Sequence, residues 1–303
     1  MRIDQGLLLF LLLMFNTTFS QEEEDKPRTF FDKLILRKSF DSKNNMSKAA
    51  VITYTNPKNN KESWLLSAAI GIDLLENTDK IILLNPYFEY HRNTLVDSEQ
   101  NNWQTGFSLE MQTSDLSKPD RSWSPVILSS LKFNRDQENE ISSFQGNLYF
   151  TPIFKGKALD PKFFWLPNTT VNFGNLFQFI YTPYVGLENE NRIATETESA
   201  EGYIYRALIR ITSNILLFPK SEKCRDKFEF ATDWQYRYNF SENVEDLIFN
   251  DHRYFTVSFN YIFFSANEGK KSAKIGFDYT NGDNPAKNFE KQSFYAISLK
   301  LKL

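Results

Sequence analysis

Residues 227–240 read Lys-Phe-Glu-Phe-Ala-Thr-Asp-Trp-Gln-Tyr-Arg-Tyr-Asn-Phe. Phe228, Phe230, Thr232, Trp234, Tyr236, Tyr238 and Phe240 alternate with Lys227, Glu229, Ala231, Asp233, Gln235, Arg237 and Asn239. At 100° per residue the two sets would scatter around a helix. At 180° they separate onto the two faces of a strand, one aromatic and one charged.

The pattern repeats on the C-terminal side. Phe255, Val257, Phe259, Tyr261 and Phe263 form one face, then Ala273, Ile275, Phe277 and Tyr279, and last Tyr295, Ile297, Leu299, Leu301 and Leu303. Weaker versions lie at Ser47–Thr55, Ser63–Leu74, Lys80–Arg92, Trp103–Thr113, Trp123–Phe133, Ser142–Ile153, Thr170–Leu187 and Gly202–Ile215. The count is about twelve strands. Between them, Asn56–Lys61, Asn93–Asn102, Glu188–Glu201 and Asn281–Glu290 are rich in turn and loop residues. No shift in composition divides the chain.

The composition explains the alternation. Of 303 residues, 16% are aromatic and 29 are Phe, yet the mean hydropathy is −0.47, so apolar and polar residues are interleaved. A formal charge of −3 supplies no basic field, which argues against a nucleic-acid partner.

The N-terminus reads as an export address. Arg2 precedes the apolar run Leu7–Phe15, and Thr18 and Ser20 place small residues before a cut at Gln21. That is the layout of a signal peptide, and the run is about half of what a membrane helix needs. Residues 1–20 are therefore read as the signal peptide. Residues 21–45 follow as a periplasmic leader or a plug, and 46–303 as the barrel. Cys224, the one cysteine, cannot form an internal disulfide and is read as a small turn residue.

A soluble sandwich also alternates, but it buries branched aliphatics between its sheets. Here the apolar face is Phe and Tyr, with Trp64, Trp103 and Trp123 near strand ends, where a membrane barrel carries its aromatic girdles. With its signal peptide, even strand count and closing strand Ser293–Leu303, the chain resembles a Gram-negative outer-membrane β-barrel. It ends in Leu303, where members of that family commonly end in Phe. The resemblance implies an all-β, up-and-down antiparallel transmembrane barrel of about twelve strands. It also implies lipid contact, an assembly machinery that reads the C-terminal strand, and both termini in the periplasm. The linkers near Asn93, Glu188, Ser241 and Asn281 would then be extracellular. Phe154–Thr169 is a long segment on the other side, to be explained by a folded-back flap or a different strand count.

If the aromatic face meets lipid, the interior receives Asp73, Glu89, Glu110, Arg206, Arg210, Glu229, Asp233, Arg237, Lys274 and Asp278, with Lys300 and Lys302 on the last strand. These are the candidate pore-lining residues. They predict either a narrow passage for small hydrophilic solutes or a ladder of ion pairs that closes the lumen. In the second case the protein is a membrane anchor or a surface interaction protein. No cofactor or metal is expected. The histidines, His91 and His252, are read as solvated residues at strand edges, and no nucleophile and base stand at a recognisable spacing. An outer-membrane hydrolase is the least supported reading: the Asn281-Gly282 pair lacks the histidine of the phospholipase signature and reads as a hairpin turn.

Overall fold

The computed structural model describes residues 30–40, 49–55, 62–75, 82–96, 99–116, 118, 120–155, 160–194, 200–244, 250–266 and 271–302. Residues 1–20, read above as a signal peptide, and most of the expected leader lie outside them. Residues up to Lys33 form one unit, of which a 3-10 turn at Phe30–Lys33 is described, and Leu34 onward forms the other.

The second unit is built of strands β1 (Leu34–Arg37), β2 (Ala50–Thr55), β3 (Ser63–Ile72), β4 (Ile82–Asn93), β5 (Gln100–Gln112), β6 (Trp123–Asp136) and β7 (Ile141–Phe154). It continues with β8 (Val171–Phe173), β9 (Phe177–Ala194), β10 (Gly202–Leu217), β11 (Phe228–Glu242), β12 (Asp251–Ala266), β13 (Lys271–Asn284) and β14 (Glu290–Lys302). Every pairing is antiparallel, each long strand lies beside its sequence neighbours, and β14 closes on β2 through Ser298–Leu301 against Thr53–Ala50. The ring is a closed, up-and-down barrel of twelve strands. Among the described residues this closing seam is short, four residue pairs long.

The two faces divide as the alternation requires. Leu131, Phe150, Ile209, Phe259, Phe277 and Ile297 are exposed on the outer face, and an aromatic row Phe88–Trp103–Phe133–Phe144 crosses four strands there. The buried side chains are mostly polar and face inward. An apolar inner cluster of Val126, Leu128, Tyr149, Tyr184 and Leu208 fills one sector.

The first lane of the wall is shared by two short strands. Arg37 on β1 pairs with Ala69, and Val51 on β2 pairs with Ser67, two residues along the same side of β3. The chain leaves this lane after Arg37 and rejoins it at Ala50. On the way Phe40 is buried inside, stacked on Tyr87 at 5.0 Å, with its N–H donating to Glu89 Oε1 at 2.6 Å. Gly71 makes the room: a Cβ there would lie 2.3 Å from the Phe40 ring. The wall thus begins at Leu34 rather than at residue 46, and part of the expected leader enters the barrel.

Two other boundaries move. Glu188–Glu201, read as a linker, is strand as far as Ala194. Its register with Ser142–Phe150 and Gly202–Leu217 overrides its loop-like composition. Asn281-Gly282 is not a hairpin turn but part of β13, with Gly282 at φ +106° and so close to the Arg253 carbonyl that a Cβ would lie 2.0 Å from it. The segment after β7 does fold back. Val171–Phe173 pairs with Phe177–Phe179, and Asn168 ties it down by donating to Thr151 Oγ1 and the Pro152 carbonyl. Cys224 lies in the β10–β11 turn, where its N–H donates to Ser221 Oγ.

Candidate functional site

The inward face of β9–β14 carries a ladder of charges. Arg210 holds Asp233 through two bonds, with Nε at 2.9 Å from Oδ1. Arg237 reaches over β10 to Glu188, at 2.8 and 3.0 Å, and Tyr149 donates its hydroxyl to the same carboxylate at 2.6 Å. Glu190 lies between Arg206, at 2.7 Å, and Arg192, at 3.0 Å. Further round, the Lys274 ammonium lies 2.8 and 3.0 Å from the Glu229 oxygens, and Asn260 donates to the same group. Lys300 reaches Asp278 at 2.6 Å, Asn260 at 2.8 Å and Ser258 at 3.1 Å.

Many of these contacts span a strand or run diagonally, because long Arg and Lys stems can bridge neighbouring lanes. Arg210 stands opposite Gln235 in register but pairs two residues away. Lys300 crosses over Gly276, where a Cβ would lie 2.8 Å from its Nζ. A charge removed from water needs such a partner, since an isolated one costs several kcal/mol.

Of the candidates drawn from the sequence, Arg206, Arg210, Glu229, Asp233, Arg237, Lys274 and Asp278 meet in this ladder. Glu89 is fully buried on β4, where it receives the Phe40 N–H and the Ser39 hydroxyl. Glu110 stands on β5 in the field of Arg37. Asp73 falls just beyond the end of β3, with one buried carboxylate oxygen lacking a hydrogen-bond partner among the described residues. Lys302 closes β14.

His91 and His252 are not solvated edge residues: both face inward and are buried. His91 Nε2 is 3.2 Å from Glu89 Oε2, and His252 stacks on Phe289 at 4.4 Å. The sequence reading also missed Glu188, Glu190 and Arg192. Their alternation was visible, but Asn189 and Asn191 replaced the expected apolar residues between them.

One end of the lumen is crossed by the β13–β14 loop, residues 285–289. Its tip turns inward, with Asn288 and Phe289 at φ +44° and +63°. The Ala286 carbonyl accepts from Gln100 Nε2 on β5 at 2.8 Å, and Asn288 Nδ2 donates to Asp136 on β6 at 2.6 Å. Those strands lie about halfway round the ring from β13 and β14. The Phe289 ring sits under the guanidinium of Arg206, at 4.5 Å, and near that of Arg237, at 5.6 Å.

Behind this loop lies a chamber of about 180 Å³. A water needs roughly 10–15 Å³ of such space, so several fit. Its walls include Arg210, Glu229, Asp233, Lys274, Asp278 and Lys300, with Pro285 and Ala286 from the loop and Lys38 and Ser39 from the inserted N-terminal segment.

No family model and no curated protein matches this chain. Among solved structures, one described as "Unveiling the Mechanism Behind the in-meso Crystallization of Membrane Proteins" is similar at 9% identity. It covers 84% of this chain and 82% of that one, with a TM-score of 0.39. A likeness so distant carries no argument about activity.

Proposed function

We propose that the protein spans the outer membrane of a Gram-negative cell as a narrow channel for small hydrophilic solutes, closed in this conformation by its 285–289 loop. The exposed aromatic face suits lipid, and an export signal with a barrel-closing C-terminal strand suits delivery by the barrel-assembly machinery. The carrying observation is what obstructs the polar chamber at that end. It is a five-residue loop held across the mouth by a few hydrogen bonds and one ring, and not the wall itself. Such a loop can withdraw without breaking a strand pairing.

The alternative, a non-conducting anchor, draws support from the pairing of the wall charges with one another. Planar-bilayer recording separates the two. The intact chain should open briefly and rarely, while a variant with residues 285–289 replaced by a two-residue turn should conduct in steady discrete steps. Changing Arg206, Arg210 and Arg237 to Gln, one at a time, should shift the ion selectivity of those steps. Silence from the folded, inserted loop variant would favour the anchor.

A further inference from the structure

The chamber's charges do not all cancel. Each of its four wall cations, Arg210, Arg237, Lys274 and Lys300, holds its own carboxylate. Lys38, which enters with the N-terminal segment, lines the same chamber. The carboxylates that act on it, Asp278 and Asp233, already hold Lys300 and Arg210. A fifth cation among four carboxylates that are already held is costly to bury unless something further neutralises it.

A second observation points to the same space. Thr53 Oγ1, Gln104 Oε1 and Gln292 Nε2 are buried atoms with no hydrogen-bond partner among the described residues, and all three residues line the chamber. Each of these side chains is more than nine-tenths buried. Buried polar atoms are ordinarily satisfied. An amide N–H and a hydroxyl that donate, an ammonium that neutralises, and an amide oxygen that accepts together suit a small oxyanion that still carries a proton.

We infer that the chamber is a binding site for a small oxyanion that bears an O–H, of the hydrogen-phosphate or hydroxycarboxylate kind, held by Lys38, Gln292, Thr53 and Gln104. The ammonium supplies the charge, and Gln292 and Thr53 supply directed donors. Gln104 selects an anion with an O–H over one without. The inserted segment thereby completes a site whose other walls belong to the barrel. This inference does not depend on whether the lumen conducts.

Inorganic phosphate is the probe. It is titrated calorimetrically, at constant ionic strength, into the full folded chain in detergent and into the variant with residues 285–289 shortened, which opens the chamber. One saturable site in either protein is expected. Lys38→Gln should weaken it at least tenfold, Lys38→Arg should retain it, and Lys162→Gln, at an exposed lysine, should leave it unchanged. Sulfate, which carries no proton at neutral pH, should bind more weakly than phosphate, and Gln104→Leu should narrow that gap. If neither protein binds phosphate saturably, or if Lys38→Gln binds as the parent does, the inference fails and water satisfies these atoms. Heat-modifiable migration of each variant on gels verifies that the barrel has folded.

Discussion

The guanidinium of Arg206 lies 4.5 Å from the centre of the Phe289 ring. The same ring meets the His252 imidazole and the Arg237 guanidinium. The residue takes this position from a left-handed backbone, φ +63°, which a bulky side chain rarely adopts. Local strain is thus held in place by tertiary contact.

A cation over an aromatic face is worth about 0.5–2 kcal/mol. On the proposed channel reading, Phe289→Ala should therefore loosen the loop and raise the open fraction several-fold, read as open time in single-channel records. Phe289→Gly removes the ring and the strain together and should open it too, though with easier reclosure. Unchanged gating in both would detach the ring from closure.

Arg237 and Glu188 form a buried pair bridging β11 and β9 over β10. Removing one partner of such a pair strands the other charge, at about 3–5 kcal/mol. Glu188→Leu should lower the unfolding midpoint in urea markedly, and Arg237→Met combined with it should restore most of the loss. If the double variant is as unstable as the single, the pair is not the source of the cost.

Gly276 is a packing requirement. A Cβ would stand 2.6 Å from Asn260 Oδ1 and 2.8 Å from Lys300 Nζ, so Gly276→Val must push Lys300 off Asp278 and Asn260. Overpacking of this kind costs about 1–3 kcal/mol. The expected result is a lower denaturant midpoint. Adding Lys300→Ala, which clears the ammonium, should recover part of it.

Gly71 plays the same part for the inserted segment, since its missing side chain admits the Phe40 ring. A cysteine placed at position 40, with Cys224→Ser, should resist a bulky thiol reagent. In the Gly71→Leu background it should react at least tenfold faster, because the segment can no longer seat. Equal rates would mean that the segment is not held there.

The barrel was legible because its signal is local: a two-residue period in Lys227–Phe240 survives any error about which strand lies beside which. The polarity of the inner face followed from the same period, which is why Arg210, Glu229 and Asp233 could be named from sequence. What could not be read depends on contacts between distant residues. The pairing of Arg237 with Glu188 requires the register of three strands. The burial of His91 and His252 requires knowing that Phe40 folds inward onto Glu89, the partner of His91, and that Phe289 stacks on His252. Glu190 was hidden for another reason, because Asn189 and Asn191 gave a strand the composition of a loop. The 285–289 loop has the ordinary composition of a turn, and only its contacts with Gln100 and Asp136 set it across the lumen.

The most direct test tethers that loop. Cysteines at positions 100 and 286, where the Gln100 side chain now meets the Ala286 carbonyl, are joined by a short bifunctional thiol reagent in a Cys224→Ser background. Single-channel conductance is recorded before and after a cleavable form of the linker is reduced. Closure by this loop predicts silence while the tether is intact and discrete openings once it is cut. Equal conductance in the two states would contradict it.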